Sequence, residues 1–93
     1  IINGALTFTL AGSLAADTNG NNASATEITL NSVTGLPSTG TNYIQIDNEE
    51  ISYTGITGLK LTGITRGARG TTIAAHSNGA TVTFRWDCHS LNS

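Results

Sequence analysis

Apolar residues recur at every second position in this chain, in short runs bounded by Gly, Asn, Ser or Pro. That spacing sends successive side chains to opposite faces and fits a half-buried β-strand. A helix would place its apolar positions three or four apart. The runs are residues 5–10, with Leu6, Phe8 and Leu10 on one face; 27–30, with Ile28 and Leu30; 43–46, with Ile44 and Ile46; 50–53, with Ile51 and Tyr53; 59–62, with Leu59 and Leu61; and 81–86, with Val82, Phe84 and Trp86. Strands this short, separated by turn residues, predict an all-β fold: a small antiparallel sandwich or a partly open barrel, with long loops. The three runs between 43 and 62 follow one another closely and predict a β-meander. Asp47-Asn48 sits at its first turn, and both residue types tolerate the positive φ of a tight hairpin. Gly55 and Gly58 bracket its second.

The remaining segments read as connections. Residues 11–25 contain no large apolar side chain except Leu14, and are expected to be a long mobile loop or an arm that orders against a partner. Residues 33–40 are turn material in which Leu36 plugs the edge of the core. Residues 73–76 are expected to make a single helical turn, too short to stand alone. Asn78-Gly79 marks another turn, and residues 87–93 form a polar tail.

The chain has 93 residues, enough for one domain spanning 1–93. Its charge narrows the partners. Only 11% of residues are charged, and the four basic ones (Lys60, Arg66, Arg69, Arg85) are scattered through the second half. That cannot follow a phosphate backbone, so no nucleic-acid partner is expected. A sparsely charged surface rich in Thr and Asn fits a chain packed against copies of itself or against neighbours. No apolar run approaches the roughly 20 residues that span a bilayer, so no membrane partner is expected. No basic segment followed by an apolar one marks a signal peptide. Cys88 is the only cysteine, which excludes an intrachain disulfide. Asn22-Ala23-Ser24 matches a glycosylation sequon, which matters only in a secreted eukaryotic protein.

Several residues carry chemistry, and each has a plainer reading beside it. His76 could be a base or ligand, but a loop-pinning hydrogen bond is the better expectation. Asp87-Cys88-His89 holds three metal-binding residue types, yet adjacent strand residues diverge and no second cluster completes four ligands. Cys88 then reads as an inert thiol or as a side chain buried against a neighbour. Glu49 and Glu50 are neighbours whose side chains diverge, so they cannot face one bond together as paired acids. Arg66 has a planar fork suited to loop carbonyls or to a carboxylate such as Glu49 or Glu50. Residues 66–70 lack the Lys-Ser/Thr ending of a phosphate cradle. No catalytic, cofactor or metal residues are therefore assigned, and no enzyme is expected. Arg66, Arg69 and His76 are instead candidates for an exposed contact loop. Phe84 and Trp86 serve either the core or an interface as anchors.

The pattern Ile44-Gln45-Ile46-Asp47-Asn48-Glu49-Glu50-Ile51-Ser52-Tyr53-Thr54-Gly55-Ile56, then Leu61-Thr62-Gly63-Ile64-Thr65-Arg66-Gly67, then Gly70-Thr71-Thr72-Ile73-Ala74-Ala75-His76-Ser77-Asn78-Gly79-Ala80-Thr81-Val82, resembles a module of tailed-bacteriophage virion proteins. Glu27-Ile28-Thr29-Leu30 and Gly35-Leu36-Pro37 also fit it. The resemblance covers well over half of the chain. It implies a structural component of the virion, either a capsid decoration (cement) protein on the head exterior or a tail or fibre component. It also implies the major capsid protein or other virion proteins as partners, and a homo-oligomer such as a trimer. A reading from another class is a carbohydrate-binding or adhesin module, which needs an aromatic platform drawn from Trp86, Tyr43 and Tyr53.

Overall fold

Alternation alone assigns most of the strands. The computed structural model describes residues 5–17 and 27–85. Within them lie seven strands: β1 (Ala5–Thr9), β2 (Glu27–Thr29), β3 (Asn42–Ile46), β4 (Glu49–Tyr53), β5 (Gly55–Thr57), β6 (Lys60–Thr62) and β7 (Thr81–Arg85). A 3₁₀ turn, Ala68–Gly70, is the one helical element among the described residues. Trp86, the tail with Cys88 and His89, and the later part of the loop expected over 11–25 lie outside the described residues.

Two antiparallel sheets face each other across one core. The larger has the strand order β1-β7-β3-β4 and the smaller β2-β6-β5. Every pairing is antiparallel. The inward positions are those that alternation assigns: Phe8, Leu10, Ile28, Leu30, Ile44, Ile46, Ile51, Tyr53, Leu61, Val82 and Phe84 form one buried cluster with Leu14, Leu36 and Ile64. Buried Tyr53 keeps its one polar atom satisfied, its hydroxyl donating to the Pro37 carbonyl at 2.9 Å. Burial pushes that hydroxyl up to about 12, so it remains a donor through the physiological range. Isolated bridges at Leu10↔Leu30 and Ser52↔Thr65 stitch the two sheets together, and the result is a sandwich, not a closed barrel.

Three expectations change. The runs over 43–62 do not make one meander: the chain leaves the larger sheet after Tyr53, and Gly55–Thr57, expected as turn material, becomes β5 of the smaller sheet. Thr54 is the crossing point, its N–H donating to Thr62 O at 3.0 Å. The β5–β6 turn is therefore Gly58-Leu59, since the paired residues on either side are Thr57 and Lys60. Leu59, expected inward, is 49% exposed, whereas Leu61 is fully buried. Residues 73–76 form no helical turn; 71–75 are extended or irregular and His76 makes a strand-like bridge.

The expected mobile loop is anchored at its start. Leu14 is 2% exposed and exchanges two backbone hydrogen bonds with His76, at 2.8 and 3.0 Å. The β1–β7 ladder is interrupted beyond Thr9↔Thr81 by a turn in which Ala80 N donates to Ser77 O. It resumes in the same register at Leu14↔His76. One apolar side chain in a polar stretch is enough to fix it, because antiparallel register admits only every second residue to the core face.

The β5–β6 register can be checked by substitution. Leu61→Ala is expected to cost about 2–5 kcal/mol in urea unfolding and Leu59→Ser less than about 0.5 kcal/mol. Comparable losses at both positions would restore the inward placement of Leu59.

Candidate functional site

Glu49 begins β4, and alternation through Ile51 and Tyr53 puts its side chain on the core face. Register sets it opposite Ile46, which is itself opposite Val82, and Val82 is opposite Phe8. A carboxylate thus ends an apolar row. Burying such a charge costs several kcal/mol unless donors replace its water.

The donors come from the segment after β6. Arg66 approaches edge-on, with Nε donating to Glu49 Oε2 at 2.7 Å and Nη2 to Oε1 at 3.0 Å. The Gly67 N–H adds a bond to Oε2 at 2.9 Å and the Ala74 N–H one to Oε1 at 3.1 Å. His76 Nε2 lies 2.7 Å from Oε1. Arg66 Nη2 also donates to the Ala74 carbonyl at 2.7 Å. The side chains of Glu49, Arg66 and His76 are all fully buried. No buried side-chain nitrogen or oxygen among the described residues lacks a partner.

His76 faces a carboxylate on each ring nitrogen, Glu49 through Nε2 and Asp47 Oδ2 through Nδ1 at 2.9 Å. Ionised carboxylates only accept, so both bonds are satisfied when each nitrogen carries a proton. Asp47 reaches the ring from the β3–β4 turn, where its φ of 54° supplies the positive angle the hairpin requires.

Burial alone would raise the Glu49 carboxyl. The hydrogen bonds from Arg66 and His76 and from the Ala74 and Gly67 N–H groups outweigh it and bring the group down to about 2. The carboxylate therefore stays ionised, and its lone pairs are committed to internal donors.

A second, shallower set lies on the opposite side of β4. Arg69 Nε donates to Glu50 Oε1 at 2.7 Å, and its guanidinium lies 4.0 Å from the centre of the Tyr43 ring. The Arg69 side chain is 55% exposed, so the ion pair contributes at most about 1 kcal/mol. Thr71 ties the loop back to β4, its hydroxyl accepting from Glu50 N at 2.9 Å and donating to Ala68 O at 2.8 Å.

The proposed contact loop is thereby divided. Arg66 and His76 are 6% and 4% exposed and hold the fold together; they offer nothing to a partner. Arg69 is at the surface but engaged. The loop-pinning role of His76 and the Arg66–Glu49 pair are found as expected. Glu49 and Glu50 diverge, one inward and one toward Arg69. Phe84 is 6% exposed and belongs to the core, not to an interface; Trp86 and the Asp87-Cys88-His89 run lie outside the described residues.

A cleft of about 490 Å³ lies between the β3–β4 turn and the 71–76 segment, with Asp47, Asn48, Thr71, Thr72 and Ala74 along its walls above Glu49 and His76. Glu49 and His76, whose side chains are fully buried, have their side-chain oxygens and nitrogens engaged in internal hydrogen bonds. Among the described residues, no group of three His, Cys, Asp or Glu side chains is placed to hold a metal ion.

Two substitutions test this cluster. Glu49→Gln leaves the buried Arg66 without its counter-charge and turns an NH₂ toward donors; it is expected to cost about 3–5 kcal/mol. Because the folded carboxyl titrates below its ordinary 4.5, its contribution is full above pH 4.5 and disappears as pH falls toward 2. That contribution is about 3 kcal/mol, and urea unfolding along a pH series should show a flatter profile for Glu49→Gln over this window. The second comparison uses two glycines of equal φ, 61°. A Cβ on Gly58 meets nothing within 4 Å, whereas one on Gly67 lies 3.0 Å from the Thr71 carbonyl and 2.9 Å from Ile73 Cγ1. Gly58→Ala is expected to cost about 1–2 kcal/mol for the left-handed backbone, and Gly67→Ala about 1–3 kcal/mol more. Equal losses would mean that this packing does not constrain the loop.

Comparison with protein-family models, with curated proteins and with solved structures returned no match to this chain.

Proposed function

We propose that this protein is a structural component of a tailed-phage virion. In the more specific form of the reading it is a capsid decoration (cement) protein, a homo-oligomer on the head exterior that ties neighbouring capsid subunits together, assembled in the bacterial cytoplasm. The observation that carries the reading is the use made of the pattern's charged residues. Asp47, Glu49, Arg66 and His76 bond one another, and three of the four are buried. The pattern that resembles virion modules is therefore a specification of scaffold, which is what a structural role asks of it. Its most reactive-looking residues are spent on internal bonds, which supports a non-catalytic role.

The surface supports assembly by burial and strand addition. β5 edges the smaller sheet, and a sheet edge offers unpaired N–H and C=O groups. Leu59 stands exposed at its hairpin. A carbohydrate-binding role is less well supported. Tyr53 is buried, and one face of Tyr43 is covered by Arg69.

Stoichiometry in purified particles tests the reading. Quantitative mass spectrometry should find the protein at a copy number comparable with that of the major capsid protein, and in heads separated from tails. A few copies confined to tails would replace cement by a tail or fibre role. Absence from particles would end the virion reading.

A further inference from the structure

Asn78-Gly79 is the chemically most labile kind of dipeptide. The glycine imposes no side chain against ring closure between its own nitrogen and the asparagine Cγ. Here both reacting groups are held by one strap, residues 10–14. Gly79 N donates to the Leu10 carbonyl at 3.0 Å, and Asn78 Oδ1 accepts from Gly12 N at 2.8 Å. The strap is fastened at its far end by buried Leu14, with its two backbone bonds to His76.

We propose that Asn78-Gly79 is a self-modification site, a slow deamidation whose rate is set by release of the 10–14 strap. In the step itself, the Gly79 nitrogen gives up its proton and attacks Asn78 Cγ. The new N–Cγ bond forms, the Cγ–Nδ2 bond breaks, and Nδ2 leaves as ammonia with the proton. Water then opens the five-membered imide at either carbonyl, giving aspartate or isoaspartate. No oxidant or reductant enters.

The two strap contacts act in opposite senses. Donation from Gly12 to Oδ1 polarises the amide and by itself favours attack. The Leu10 carbonyl holds the Gly79 proton and fixes the nucleophile, and the Gly12 bond also fixes the side chain that must swing toward it. Without a free nitrogen the polarised amide has no attacker, so protection prevails while the strap is docked. Local opening, not global unfolding, then exposes the pair. The isoaspartate product adds one methylene to the main chain between His76 and β7, within the stretch where register is regained.

The experiment follows Asn78 by peptide mapping in the full chain, held at mildly alkaline pH with rising urea. The amide-to-acid mass change is the readout, and Asn3-Gly4 and Asn19-Gly20 serve as chemical references in full denaturant. In buffer the Asn78 rate should be at least about tenfold below its rate in full denaturant, a factor equivalent to about 1.4 kcal/mol of opening free energy. It should also climb at urea concentrations below the cooperative unfolding transition. Leu14→Ala, verified as folded by circular dichroism, should move the buffer rate toward the denatured one. Equal rates in buffer and denaturant would overturn the proposal. So would a rate that rises only with the global transition, a readout that holds even if Leu14→Ala does not fold.

Discussion

The buried Glu49 carboxylate is the point on which the second half of the chain depends. Left with unsatisfied lone pairs in the core, it would cost several kcal/mol. With donors from Arg66, Gly67, Ala74 and His76 it becomes a centre that forces a long irregular segment to one conformation. Apolar burial cannot do this for residues 65–80, in which only Ala68 is a buried apolar residue. Hydrogen bonds are directional where hydrophobic contact is not, so a segment poor in apolar side chains is positioned by geometry. A hydrophobic residue at position 49 could be as stabilising overall, since buried ion pairs often are replaceable in that sense. It would leave the loop with nothing to fold onto.

His76 links this centre to the other end of the chain. Its ring belongs to the Glu49 cluster, and its backbone pairs with Leu14, just beyond β1. The same residue is therefore fixed by side chain from one direction and by main chain from another. The strap and the loop are not independent decorations of the sandwich. Loosening one withdraws a constraint from the other, which is why a residue as remote from Glu49 as Leu14 bears on the order of the cluster.

Much of this was legible in the sequence, and the misses have physical reasons. Period-two alternation located the core faces of β1, β2, β3, β4 and β7 because a strand with one wet face must alternate. The sheet switch at Thr54 was not legible. Local periodicity says which side of a strand is buried but not which neighbour pairs with it, and Gly55 read as a turn while its actual use is in β5. Leu59 goes with that switch, because the turn lies two residues later than the glycines suggest and takes Leu59 out of the strand. Glu49 carried a usable signal: it continues the inward alternation of Ile51 and Tyr53 by one more step. Starting the strand at Glu50 concealed it. A pinning role for His76 is legible from its lack of catalytic neighbours, but its partners, Asp47 and Glu49, stand 29 and 27 residues away in sequence, beyond any local pattern.

The terminal strands have a consequence of another kind. Ala5 lies directly opposite Arg85, so the incoming and outgoing chain run side by side at one end of the sandwich. A unit with neighbouring ends can be spliced into a surface loop of a larger polypeptide without prising its host apart, or joined head to tail with itself by a short connection. The pairing of β1 with β7 thus gives the sandwich the geometry of a portable insert, with its entry and exit strands held together by their own ladder.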